Sequence, residues 1–163
     1  KEKRGLERIA ALGAGPCARF QWVVAGHVRP EVAVFLPSEA RLLGVIDDVA
    51  ELRATYAACD LVLQPSVADG MPNVVLEAMA CERTVVGWRA GGIPDVIEHE
   101  RTGLLCASLD DLRRALEWAA TADLEPLGRA ARRSTPRPRD EAAQLLELAR
   151  ESSARYAAIK RSR

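Results

Sequence analysis

Short apolar runs alternate with helix-period patterns along the chain. Residues 20–26 (FQWVVAG), 41–45 (RLLGV), 61–64 (LVLQ), 84–87 (TVVG) and 103–106 (GLLC) read as strands. Most are apolar throughout, not alternating, the pattern of parallel strands covered on both faces. Between them, residues 48–59 read as a helix with Asp48 as N-cap, Glu51 as its reciprocal partner, and Leu52, Tyr56 and Cys59 on one face. Residues 71–81 and 93–98 are further helices, each with a proline (Pro72, Pro94) near the first turn, where the missing N–H is no loss. Ser108 and Asp111 form another cap, opening a helix to about Thr121 with Leu112, Leu116 and Ala119 inward. Residues 125–133 form a short helix, and residues 30–38 are open between loop and short strand.

Strand–helix alternation of this kind predicts an α/β fold, a doubly wound Rossmann-like parallel sheet. Ligands of such sheets bind beyond the carboxyl ends of the strands, so those loops are the place to look for chemistry. Residues 1–12 already read as a helix, whereas a right-handed crossover unit starts with a strand. The first strand is therefore expected to be missing, and the chain to be the C-terminal portion of something longer. Residues 1–133 are read as the Rossmann-like domain, 134–139 (STPRPR) as a proline-rich hinge and 140–163 as a C-terminal helix with an Ala142–Leu145–Leu146–Ala149 stripe.

Composition narrows the classes. The 163 residues carry 23 basic and 23 acidic side chains, which gives no electrostatic case for nucleic acid as a partner. No apolar run reaches the roughly 18 residues a membrane span needs, and KEKRGLERIA does not read as a signal peptide. Cys17, Cys59, Cys81 and Cys106 include no CxxC pair and no neighbouring histidine at ligand spacing, so they read as small buried hydrophobes and no metal site is expected. A cytoplasmic protein is the expectation.

Two segments invite a phosphate-binding reading. Residues 13–18 (GAGPCA) match GxGxxA, but they follow a helix and precede a strand, the reverse of what a dinucleotide site needs, and read as a helix end and turn. Residues 64–80 (QPSVADGMPNVVLEAMA) are richer: a strand ends, a glycine-containing polar loop follows and a helix starts near Pro72. Free N–H groups and the positive end of the dipole at that helix start favour a phosphate. Asp69 and Glu77 would repel phosphate if they faced it, but they suit hydroxyls flanking phosphates, as a nucleotide sugar offers. Taken singly, a loop aspartate and a solvent-facing helical glutamate are equally ordinary structural residues.

Taken whole, the string PS-x2-D-G-x-P-N-x3-E-A-M-A, then TVVG, then AGGIPD (residues 90–95), then TGLL (residues 102–105), resembles the donor domain of GT-B glycosyltransferases. The closest group is the retaining glycosyl transferases group 1, or family 4. Leu43–Gly44–Val45, Tyr56, Ala58–Cys59–Asp60 and Arg4–Gly5 agree, and the resemblance covers about residues 3 to 116. It implies the second domain of a two-domain enzyme that takes a glycosyl group from a nucleotide-diphosphate sugar, the donor substrate. The acceptor would be bound by a missing N-terminal domain of the same protein, so the isolated fragment is expected to be inactive. The resemblance implies no metal, no other cofactor and no transmembrane segment, and leaves peripheral membrane contact of the full-length enzyme open.

The resemblance also implies roles. Glu77 matches the acid that binds the ribose hydroxyls, and Asp69, where the family usually has Glu, the acid that contacts the transferred sugar. Gly70, Met71, Pro72 and Asn73 would offer amides to the sugar and diphosphate. Arg4, or Lys3, would stand for the lysine that neutralises the leaving diphosphate, although Arg is planar and bulkier. Gly91 and Gly92 would face the donor, and Val45 would border the base; a tight turn and plain packing are the alternatives. Glu82 stands where glycine is usual and Thr84 where proline is usual. The rival reading is a non-catalytic glycosyltransferase-like binding or scaffold domain, favoured by the Asp69, Arg4 and Glu82 departures.

Overall fold

A computed structural model describes residues 5–12, 14–66 and 73–135. Among the described residues the strands are β1 (Val23–Ala25), β2 (Arg41–Gly44), β3 (Leu61–Gln64), β4 (Thr84–Trp88) and β5 (Leu104–Cys106). All pairings between them are parallel: β1 with β2 in one sheet, and β3–β4–β5 in order in the other. The molecule is thus an α/β protein with the Rossmann-like arrangement the sequence predicts. In each described sheet the strands run in the same direction, so the carboxyl ends of β3, β4 and β5 lie together along one edge.

The core sits on both faces of the three-stranded sheet. Because strand side chains alternate, β4 sends Val86 to one face and Val85 to the other, while β5 sends Leu104 and Cys106 one way and Leu105 the other. One face is covered by α1 (Leu6–Ala11), α2 (Ala14–Cys17) and α7 (Leu109–Ala119), through Ile9, Leu12, Cys17, Leu112 and Leu116. The opposite face is covered by α5 (Asn73–Ala80), α6 (Ile93–Val96) and α8 (Glu125–Ser134), through Val75, Ala78, Met79, Ile93 and Ala131. Apolar residues on both faces explain why the strand sequences lack polar alternation.

The cap signals in the sequence are realised locally. Ser108 Oγ accepts from Asp111 N at 3.1 Å while Asp111 Oδ2 accepts from Ser108 N at 3.0 Å, a complete capping box at the start of α7. At α4 (Val49–Ala57) only one half forms: Asp48 Oδ1 accepts from Glu51 N at 2.8 Å, and α4 buries no residue completely. Beyond α5, Glu82 adopts φ 60°, the left-handed conformation that favours glycine. Arg83 N then reaches back to Ala78 O at 2.9 Å, closing the helix end. Thr84 is buried and donates its hydroxyl to Leu124 O at 2.8 Å, tying β4 to the segment before α8, a link that proline could not make.

Four expectations need correction. Residues 30–38 contain neither the strand nor the plain loop considered but a single helical turn, α3 (Pro30–Ala33). Residues 14–17 of the GAGPCA stretch likewise form a helical turn, not just a helix end. The strand expected over residues 20–26 is confined to Val23–Ala25. β1 and β2 are also not covered on both faces among the described residues: Val23 and Leu42 are 42% and 53% exposed, and β1 and β3 belong to separate sheets. Part of the helix expected over residues 71–81 (residues 71 and 72), the hinge from residue 136 onward and the C-terminal helix lie outside the described residues.

Candidate functional site

The described candidate residues follow the carboxyl ends of β2, β3 and β4, where the chain leaves each strand. After β3, Gln64 leads through Pro65 to Ser66, and α5 begins at Asn73. Glu77 lies in the second turn of α5, exposed, and its Oε2 accepts a hydrogen bond from the Tyr56 hydroxyl at 2.9 Å. Tyr56 comes from α4, the helix before β3, so two crossover helices meet at this carboxylate. Burial first, then the bond to Glu77, push the tyrosine hydroxyl well above its ordinary range. The neutral phenol is therefore a fixed donor, and it orients one carboxylate oxygen while the carboxyl group stays accessible.

Asn73 is exposed at the first position of α5. Val45 directly follows β2 and is 63% exposed, adjoining Gly44 at φ 73°, whose carbonyl accepts from Gly26 N at 2.6 Å. Gly91, at φ 59°, and Gly92, the N-cap of α6, form the turn after β4. Glu77, Asn73, Val45, Gly91 and Gly92 thus come from three strand ends on the carboxyl side. Asp69, Gly70, Met71, Pro72, Lys3 and Arg4 lie outside the described residues.

Where α1 starts, the chain is pressed against the end of β3. A Cβ on Gly5 would stand 2.8 Å from Pro65 O, so only glycine lets α1 start this close. Arg8, one turn on, donates from Nη1 to the same carbonyl at 2.9 Å and lays its guanidinium 3.7 Å from the centroid of the Trp88 ring at the end of β4. Next to Pro65, the hydroxyl of Ser66 is buried and has no hydrogen-bond partner among the described residues. Tyr56, Arg8 and Trp88 were not singled out for the site from sequence. Tyr56 gave a partial signal, as one of three residues on the inner face of its helix, but its partner stands 21 positions away.

A cavity of about 690 Å³ opens elsewhere, beside the outer edge of β5, lined in part by Arg89, His99, Arg114, Trp118 and Leu127. None of the described candidates lines it. His99 Nδ1 accepts from Leu105 N at 3.0 Å there, shielding an amide of this edge strand. Among the described residues there is no group of histidine, cysteine and carboxylate side chains able to hold a metal ion, and no helix is long and apolar enough to cross a membrane.

A parallel sheet covered by helices on both faces, with candidate residues in the segments that follow its strand ends, is a doubly wound α/β architecture. The family profile described as "Glycosyl transferases group 1" matches residues 6–121. The chain belongs to that family. It is 40% identical over 101 residues to N-acetyl-alpha-D-glucosaminyl L-malate synthase of Bacillus anthracis, covering 61% of this chain and 24% of that protein. It is 34% identical over 135 residues to a GDP-mannose-dependent alpha-mannosyltransferase of Mycolicibacterium smegmatis, covering 81% of this chain and 35% of that protein. In structure it is similar to sucrose-phosphate synthase from Thermosynechococcus elongatus, with a TM-score of 0.77, 23% identity, and coverage of 97% of this chain and 44% of that one. Anabaena HepE, solved with UDP and glucose, gives a TM-score of 0.73 at 21% identity over 91% of this chain and 44% of that one. These likenesses show the GT-B type of fold. The chain spans about a quarter to a third of the length of these two curated relatives.

Proposed function

We propose that this chain is the donor-binding part of a retaining glycosyltransferase that moves a sugar from a nucleotide-diphosphate sugar to an acceptor held by an N-terminal domain of the same protein. The observation that carries the reading is the accessible Glu77 carboxylate, oriented by Tyr56 in the second turn of the helix that follows β3. A carboxylate so held accepts hydrogen bonds from a vicinal pair of hydroxyls, which a ribose supplies. HepE, of the same fold, has been solved with UDP, with UDP and glucose, and with UDP-glucose.

In this reading Asp69 contacts the transferred sugar, while residues 70–73 offer backbone amides to the sugar and diphosphate. Arg4 and Lys3 neutralise the leaving diphosphate, Val45 borders the base, and Gly91 and Gly92 line the donor side. Leaving-group stabilisation comes from these basic side chains and helix amides, with no obligatory metal. The reaction takes place in the cytoplasm.

The test is thermal stabilisation of the intact protein by UDP-, GDP- and ADP-sugars, repeated with Glu77→Ala. Free donor at about 100 times Kd stabilises by roughly 2.7 kcal/mol. The reading expects a shift in melting temperature with one base series, lost in the variant. A shift with none, or one that Glu77→Ala leaves intact, overturns it.

A further inference from the structure

The cavity beside β5 is walled by side chains that the donor-site reading does not use. Asp111, Arg114, Ala115 and Trp118 reach it from α7. Their i, i+3, i+4, i+7 spacing makes a stripe on the helix distinct from its buried face of Leu112, Leu116 and Ala119. His99 and Glu100 close the cavity from the segment before β5, and Arg89 from the turn after β4. A volume of about 690 Å³ lies within the range of pockets that hold small organic ligands.

This edge of β5 does not suit a partner strand. Leu105 N donates to His99 Nδ1 and Ala107 N to Asp111 Oδ2, each at 3.0 Å, so both amides are already taken. What remains is side-chain chemistry. Trp118 is 43% exposed and offers an indole face, and Leu127 with the residues of β5 extends the apolar wall. Burial first, then Asp111, push the Cys106 thiol up to about 11, so it adds an uncharged sulfur to that wall. The charges are placed unevenly. Arg114 Nη2 lies 2.6 Å from Asp111 Oδ1, and His99 Nε2 lies 3.8 Å from Glu100 Oε1. Arg89 is exposed, and among the described residues its guanidinium has no hydrogen-bond or ion-pair partner.

We propose that this cavity is a second binding site, separate from the donor site, for a small aromatic monocarboxylate. The Arg89 fork receives the carboxylate with two N–H donors, and the ring of the ligand lies on the indole of Trp118. Because His99 Nδ1 accepts from Leu105 N, the neutral imidazole carries its proton on Nε2, which gives the cavity another donor. Glu100 and Asp111 limit the ligand to one negative charge, since a second would meet a carboxylate already in the wall. That selects against nucleoside diphosphates and phosphate esters. The inference rests on no part of the donor-site reading.

Indole-3-acetate is the probe, titrated calorimetrically into the intact protein, with indole, acetate and phenyl phosphate as comparisons. The wild type is expected to bind indole-3-acetate at least roughly tenfold more tightly than each of the other three. Arg89→Gln removes the charge at an exposed position and should weaken indole-3-acetate by about tenfold while leaving indole unchanged. Arg89→Lys keeps the charge but loses the fork, so its affinity should fall between the two. Trp118→Leu keeps an apolar side chain without a flat ring and should weaken indole-3-acetate and indole alike. Melting curves without ligand identify any variant that fails to fold, and the remaining ones decide. No binding of indole-3-acetate, equal binding of indole, or wild-type affinity in Arg89→Gln overturns the inference. So does competitive displacement of indole-3-acetate by UDP-, GDP- or ADP-sugars, which would merge the cavity with the donor site. If no nucleotide sugar binds while indole-3-acetate does, the donor-site reading alone fails.

Discussion

The Tyr56 hydroxyl donates to Glu77 Oε2 at 2.9 Å, joining α4 to α5 across β3. Without this bond an exposed glutamate on a helix samples several rotamers, and a ligand that needs one of them loses affinity to ordering. Tyr56→Phe keeps the ring and removes only the donor. It is expected to weaken nucleotide-sugar binding by about threefold to tenfold, in keeping with one hydrogen bond to a charged acceptor at an accessible site. Glu77→Ala, which removes the acceptor itself, is expected to cost roughly tenfold to a hundredfold. In calorimetric titrations the two losses should not add; full additivity would show that Tyr56 does not act through Glu77.

Glu82 holds φ 60° at the end of α5, a conformation that a side chain with a Cβ adopts at a cost. Glu82→Gly is expected to stabilise the protein by about 1 kcal/mol, provided the backbone keeps its turn, since the residue is exposed and its side chain contributes little packing. An unchanged or lower urea midpoint at constant slope would contradict the strain argument.

Gly128 packs α8 onto that same turn. A Cβ at this position would stand 2.0 Å from Glu82 O, so the helix must move away from the sheet to accept one. Gly128→Ala is expected to destabilise by roughly 1–3 kcal/mol through overpacking, despite the better helix propensity of alanine. A gain in melting temperature would mean that α8 has room to shift.

The capping box of α7 predicts a pH effect. Backbone N–H bonding from Ala107, followed by bonding to Ser108, holds the Asp111 carboxyl below its ordinary value, with Arg114 adding a smaller attraction. A depressed carboxylate adds stability above its unfolded-state value, near pH 4, and that stability is lost as pH falls through the lower folded-state value. Asp111→Asn should therefore melt below the wild type at neutral pH, and the gap should narrow as the pH is lowered below about 4. A gap independent of pH would remove the charge from the explanation.

Much of the architecture was legible in the chain because its signals are local. The apolar run TVVG marks β4, Ser108 and Asp111 mark the start of α7, and Leu112, Leu116 and Ala119 are the buried face they imply. The family resemblance was carried the same way, by a strand end, a glycine-containing loop and a helix start within 17 consecutive residues, 64–80. Asp48 and Glu51 mark the limit of such signals. The pattern predicted a reciprocal cap, but only the backbone half forms, because α4 is exposed and packing does not hold the glutamate in place.

What the sequence alone determined, then, is the parallel α/β order, the cap of α7, and the placing of Glu77 on the helix that follows β3. Tertiary structure decided which residues hold that end in shape. Tyr56 meets Glu77 across 21 positions and Arg8 meets Pro65 across 57, and neither separation matches a helical or strand period. Such pairs become neighbours only when parallel strands return every crossover to the same edge of the sheet. That same geometry buries β4 on both faces, and it leaves β1 and β2 more exposed than their apolar sequences suggest.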